Sequence, residues 1–163
     1  MNSNSDLNNL IILYKETLAV NEIQKAYMFL MKYIRKLKTE MSKKYQGYNF
    51  GYVSQGYMDY TYFPIDDVYL RKYGLRFGIV LNHSKIQFEL WLMGRNAQIQ
   101  KEYWAKLKTS KWNYKIDKMP IYSVLEIVLV DNPNFNDLTS LTNQISESAF
   151  NNINEIREYL KEK

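Results

Sequence analysis

The sequence predicts an α+β fold, an antiparallel sheet of about five strands with long helices packed on it. Three observations carry this. Apolar, tyrosine-rich runs follow one another in hairpin-like pairs through the middle of the chain, so neighbouring strands should pair antiparallel. Segments with apolar residues at three- and four-residue spacing stand at both ends, which is the period of a helix face. The 163 residues, 46% hydrophobic and 24% charged, suit one soluble domain, residues 1–163, with its own core.

The expected order is α-α-β-β-β-β-α-β-α. Ser5 or Asp6 caps a first helix bearing Leu7, Leu10, Ile11, Tyr14 and Leu18. Asn21 starts a longer one, whose stripe is Ile23, Tyr27, Leu30, Ile34, Leu37 and Met41. Gly47 marks its exit. A hairpin follows, Tyr48–Val53 and Tyr57–Phe63 around Ser54-Gln55-Gly56, ended by Pro64, Asp66 and Asp67. The next hairpin is Leu75–Leu81 and Lys85–Met93 around Asn82-His83-Ser84. In its second strand Ile86, Phe88, Leu90 and Leu92 point to one face, and Gln87, Glu89, Trp91 and Met93 to the other. Asn96–Leu107 is helical. Ile121–Val130 is apolar on both faces, as in a central strand. Asn136 or Asp137 caps the last helix, with Leu138, Leu141, Ile145, Ala149, Ile156 and Leu160 in register.

Composition removes several function classes. There is no cysteine, which excludes disulfides, thiolate zinc and thiol catalysis. A single histidine, His83, falls in a tight turn, where a polar residue is expected. Walker, dinucleotide-binding, G-x-S-x-G and H-E-x-x-H motifs are absent. No cofactor or metal is implied. The amino terminus lacks a signal-peptide pattern and no run is long enough to span a membrane, so a cytoplasmic bacterial protein is expected.

The net charge of +5 gathers in two segments, residues 21–45 and 95–118. Together they would make one face for an anionic partner such as nucleic acid; apart, they are two solvated helix faces. Lys101, Lys108, Lys111 and Lys115 stand among Trp104, Trp112 and Tyr114, the mixture that holds single strands by charge and stacking. The same aromatics would equally close the core beneath solvated lysines. Arg95 and Asn96 open a helix whose free N–H groups suit a phosphate or carboxylate. Glu89 and Trp91 share a strand face that is not plain core. If Asp59, Glu89 and Glu126 converged from neighbouring strands, they would hold Mg²⁺ as in restriction-type nucleases. The local acidic-x-Lys signature of those enzymes is missing. Tyrosines 48, 52, 57, 60 and 62 offer a third possibility, a groove for a small ligand.

Phe88-Glu89-Leu90-Trp91-Leu92-Met93-Gly94-Arg95-Asn96, continuing through Ile99-Gln100 to Tyr103-Trp104, resembles a family of uncharacterised bacterial proteins of similar length. Asp131–Leu138, followed by Leu141-Thr142, resembles that family's second motif. The resemblance covers most of the chain and implies no activity. A pattern-level likeness is to small α+β domains found beside restriction-type nucleases, where an aromatic strand also leads into a helix. The leading expectation is therefore a non-catalytic binding domain for an anionic partner, with a metal-dependent nuclease and a Tyr/Trp-lined ligand pocket as alternatives.

Overall fold

The computed structural model describes the backbone of residues 3–163 and the side chains from residue 6 onward. The described elements are α1 (Ser3–Leu18), α2 (Glu22–Lys44), β1 (Asn49–Phe50), β2 (Tyr60–Asp66), α3 (Val68–Lys72), β3 (Leu75–Asn82), β4 (Gln87–Gly94), α4 (Ala97–Leu107), β5 (Leu125–Val130) and α5 (Leu138–Lys161). The predicted fold class holds: five antiparallel strands in the order β1-β2-β3-β4-β5, a simple meander, with five helices. The chain divides into two compact units, Met1–Lys36 and Leu37–Lys163.

In the first unit, α1 begins at Ser3, so Ser5 and Asp6 lie inside the helix rather than capping it. Asn21 takes a left-handed conformation (φ 58°) at the joint between α1 and α2, a role Asn tolerates better than most residues. The division falls within α2, and every later element belongs to the second unit.

Pleat parity sorts the sheet into two faces. One carries Phe63, Ile65, Phe77, Ile79, Leu81, Phe88, Leu90 and Leu92, all fully buried. Helix α5 contacts β5 and buries Leu141, Ile145, Ala149, Ile153, Ile156 and Leu160 at helical spacing. Tyr45 and Tyr48 both meet Phe150 of α5, the first stacked and the second edge-on. Asp137 caps α5, its carboxylate accepting from Ser140 N at 3.0 Å, as expected.

The differences from expectation are local. Helix α3 is an addition, set by Asp67, which accepts from Leu70 N at 2.8 Å and so opens a helix of five residues, too short for periodicity to reveal. The first hairpin is shorter and shifted. Its first strand pairs only as Asn49–Asp66 and Phe50–Ile65, with a bridge from Ser54 to Tyr62. Pro64 does not end β2 but sits inside it, opposite Gly78. Proline is tolerated next to an edge that pairs over two residues, and its ring fills the space where Gly51 has no side chain. Tyr57–Asp59 forms a loop instead of strand, because the Asp59 carboxylate binds the N–H groups of Tyr57 and Tyr60.

Ile86 belongs to the β3–β4 turn rather than the core row; its φ is 47° and it is exposed. The predicted central strand Ile121–Val130 begins only at Leu125 and lies at the sheet edge, with Ile121 82% exposed.

Candidate functional site

The second sheet face carries Tyr60 and Tyr62 of β2, Val80 and Asn82 of β3, Gln87, Glu89, Trp91 and Met93 of β4, and Glu126 and Val128 of β5, by their register. Val80, Trp91 and Met93 form a buried cluster here, with Tyr60 and Tyr62 packed against it. The Tyr60 ring meets the Trp91 indole edge-on at 4.9 Å.

Glu89 lies at the centre of this face and is 4% exposed. Its Oε1 accepts from Asn82 Nδ2 at 3.0 Å and from Gln87 Nε2, and its Oε2 accepts from Trp91 Nε1 at 2.6 Å. Three side-chain donors thus satisfy a buried carboxyl group without a cation. Asn82 also organises the turn: its Oδ1 accepts from Ser84 Oγ and Lys85 N. The unusual residues of this stretch are therefore one hydrogen-bonded unit that fixes the β3–β4 hairpin.

The three acidic residues considered for a metal do different work. Asp59 is spent on its turn, and its two backbone donors hold its carboxyl below the usual range. Glu126 pairs across the strands with Trp91 and accepts from Ser123 Oγ at 2.7 Å. Partial desolvation pushes the Glu126 carboxyl up; the Ser123 bond opposes this, and the nearby Glu89 adds to it. Among the described residues, no group of three His, Cys, Asp or Glu side chains is arranged to hold a metal ion. His83 Nε2 lies 2.8 Å from Thr61 Oγ1, whose own proton goes to Gln55 O at 2.6 Å. The ring therefore donates through Nε2, and burial lowers its pKa, against the pull of Asp59.

The tyrosines do not form one groove. Tyr52 and Tyr57 are almost wholly exposed, Tyr48 packs on Phe150, and Tyr60 and Tyr62 join the Trp91 cluster. Three of the four candidate lysines are individually engaged. Lys108 donates to Ile116 O and lies 4.9 Å from the Trp104 ring. Lys111 pairs with Glu155, and Lys115 lies over Tyr114. Trp112 meets Tyr159 of α5 edge-on. Lys101 is exposed on α4.

The concentration of charge in a concave site lies elsewhere, where β3 begins and β4 ends. A surface pocket of about 260 Å³ is lined by Asp66, Arg71, Gly74, Leu75, Arg76 and Arg95. Its three arginines come from the end of α3, the start of β3 and the residue after β4. The local sequence builds this arrangement. Asp67 caps α3 and pairs with Arg157 of α5 at 2.7 Å, which fixes the helix. Arg71 then reaches back to Asp66 at 2.8 Å. Gly74, at φ 68°, reverses the chain into β3 and accepts from Arg95 N at 2.8 Å. A side chain at Gly74 would sit 3.0 Å from Cδ and Nε of Arg95, so the arginine stem lies across the glycine. Three arginines and one aspartate line the pocket, and Asp66 is paired with Arg71, so Arg76 and Arg95 leave a positive surplus whose donors suit the oxygens of phosphate or carboxylate. Asn96, beside Arg95, uses its side-chain oxygen to cap α4 at Ile99 N, 2.9 Å.

Arg95 was legible in the sequence as an anion-binding candidate; Arg71 and Arg76 were missed. A signal was present. The chain has only five arginines among 22 basic residues, and three of the five line this pocket. In a lysine-biased chain, arginine marks positions where a planar fork of donors is wanted.

These features define an α+β fold built on a five-stranded antiparallel meander. Residues 7–160 match the family described as Domain of unknown function (DUF7000), and the chain belongs to that family, in keeping with the resemblance to uncharacterised proteins. No curated protein and no solved structure matches the chain. Among the described residues, no helix is long and apolar enough to cross a membrane.

Proposed function

We propose that the chain is a non-catalytic binding domain that takes a phosphate or carboxylate group of an anionic partner at Arg71, Arg76 and Arg95. The observation that carries this reading is the convergence of three arginines from three separate elements on one pocket holding a single acidic residue. Arginine pairs with such oxygens two at a time, which gives orientation as well as attraction. Nucleic acid is one partner of this chemistry, and salt dependence would then report the number of phosphates contacted.

A metal-dependent nuclease finds less support, since Asp59 is committed to its turn and Glu89 to three donors. The test is titration with inorganic phosphate, citrate and a single-stranded oligonucleotide at low salt, followed by backbone amide shifts. Arg76→Gln and Arg95→Gln should each weaken binding about tenfold or more, the loss of a charge-assisted hydrogen bond. Failure of all three probes to shift Gly74–Arg76 and Arg95 would remove the proposal.

A further inference from the structure

The sheet treats its two edges differently. At one edge, β1 pairs over only two residues, the short form that discourages further pairing. At the other, β5 offers six residues, Leu-Glu-Ile-Val-Leu-Val, without proline or lysine, and one side of its backbone has no neighbouring strand. Val128 is 51% exposed here. The β4–β5 ladder shifts register opposite Phe88/Glu89, so Leu129 is an extra residue. Beside it, a shallow groove of about 570 Å³ runs between the end of β5 and one face of α5. Asp131, Gln144, Glu147, Ser148, Asn151 and Asn152 supply its polar lining; Glu147 has a loose, exposed ion pair with Lys44 at 3.8 Å, and Asp131 has no ion pair among the described residues.

We infer that the β5 edge and this groove form a docking site for an extended peptide segment carrying lysine or arginine, added to the sheet as a sixth strand. The backbone ladder would supply attachment, and alternate side chains would fall into the groove. The charge pattern selects the occupant. A second copy of β5 carries Glu126 and Asp131 but no lysine or arginine, so it offers no cation to Asp131 and Glu147 and would lay apolar side chains on an amide-rich wall. A basic strand pairs its cations with Asp131 and, displacing the exposed Lys44, with Glu147, and its polar atoms with the amides of Gln144 and Asn151. This site is separate from the arginine pocket and does not depend on it.

The probe is an eight-residue peptide alternating lysine and threonine, titrated into the full chain at low salt. Because the protein itself carries net +5, general attraction works against this peptide. Binding should protect the amides of Leu125–Val130 from hydrogen exchange and shift the side-chain amides of Gln144 and Asn151. A peptide with alternate backbone nitrogens methylated should bind about tenfold or more weakly, having lost ladder bonds. The glutamate–threonine analogue should also bind less, and the surface double variant Asp131→Lys, Glu147→Lys should reverse that preference. Three results overturn the inference: no protection of β5 by the lysine peptide, equal binding of the methylated peptide, or a dimer whose β5 amides are already protected without peptide.

Discussion

Replacing Glu89 tests whether the buried carboxyl group is structural. In Glu89→Ala, Asn82, Gln87 and Trp91 all lose their common acceptor while each stays less than a tenth exposed. An unsatisfied buried donor costs about 1–3 kcal/mol. The two amides can swing toward other partners. The indole cannot, because it is held in the Val80, Met93 and Tyr60 cluster. The expected loss is therefore about 3–5 kcal/mol, one full penalty and two partial ones. In Glu89→Gln the shape is kept, but a single carbonyl oxygen replaces two acceptors, and an NH₂ group must face one donor. About 1–3 kcal/mol is expected there. Urea unfolding followed by circular dichroism gives both values, with an unchanged m-value. The Trp91 indole N–H resonance should move in the glutamine variant, since that bond is altered directly. Glu89→Gln as stable as the wild type, or more so, would refute this reasoning. It would mean that the three donors do not need the carboxylate, and that the position trades stability for a function.

Three other outcomes follow from the same structure. Ile86 is a β-branched residue at φ 47°, so Ile86→Gly should raise stability by about 1 kcal/mol, read as a shift in the urea midpoint. Gly74→Ala should lower stability by about 1–2 kcal/mol from its left-handed backbone and displace Arg95; phosphate titration should show a parallel loss of affinity. His83 is neutral more readily in the folded state than its ordinary pKa of about 6.5 implies, so stability is fully present above that value and declines as pH falls through it. Melting temperatures across this window, compared with His83→Gln, check the sign; as His83 is the only histidine, its share of the slope should be lost in the variant, leaving the contributions of Glu126 and Asp59.

How far the site was readable from the sequence depended on how local its cause was. The start of a helix at Asn96, the cap at Asp137 and the turn after Asn82 each rest on contacts within a few residues, and each was legible; that Asn96 caps the helix with its own side chain was not. The fate of Glu89 was not. Its alternation with Trp91 placed both on one face, but their shared network needed Asn82 from the paired strand, seven residues away. The aromatic and lysine mixture of residues 101–115 looked like a binding surface for the opposite reason. Sequence neighbours share a segment, yet Trp112 turns to Tyr159 and Lys111 to Glu155, both on α5.

By itself, then, the amino-acid sequence determined the α+β class, the antiparallel pairing of successive strands and the absence of thiol chemistry, because periodicity, turn residues and composition act over short distances. Only the tertiary structure decided which charges meet. Arg71 and Arg76 stand close together in the chain on either side of Gly74, and Arg95 joins them because the β3–β4 hairpin returns its N–H to Gly74 O. The edge position of β5 was likewise beyond the sequence: an apolar strand reads the same with one neighbour or two, and the order of the sheet alone leaves its outer side open.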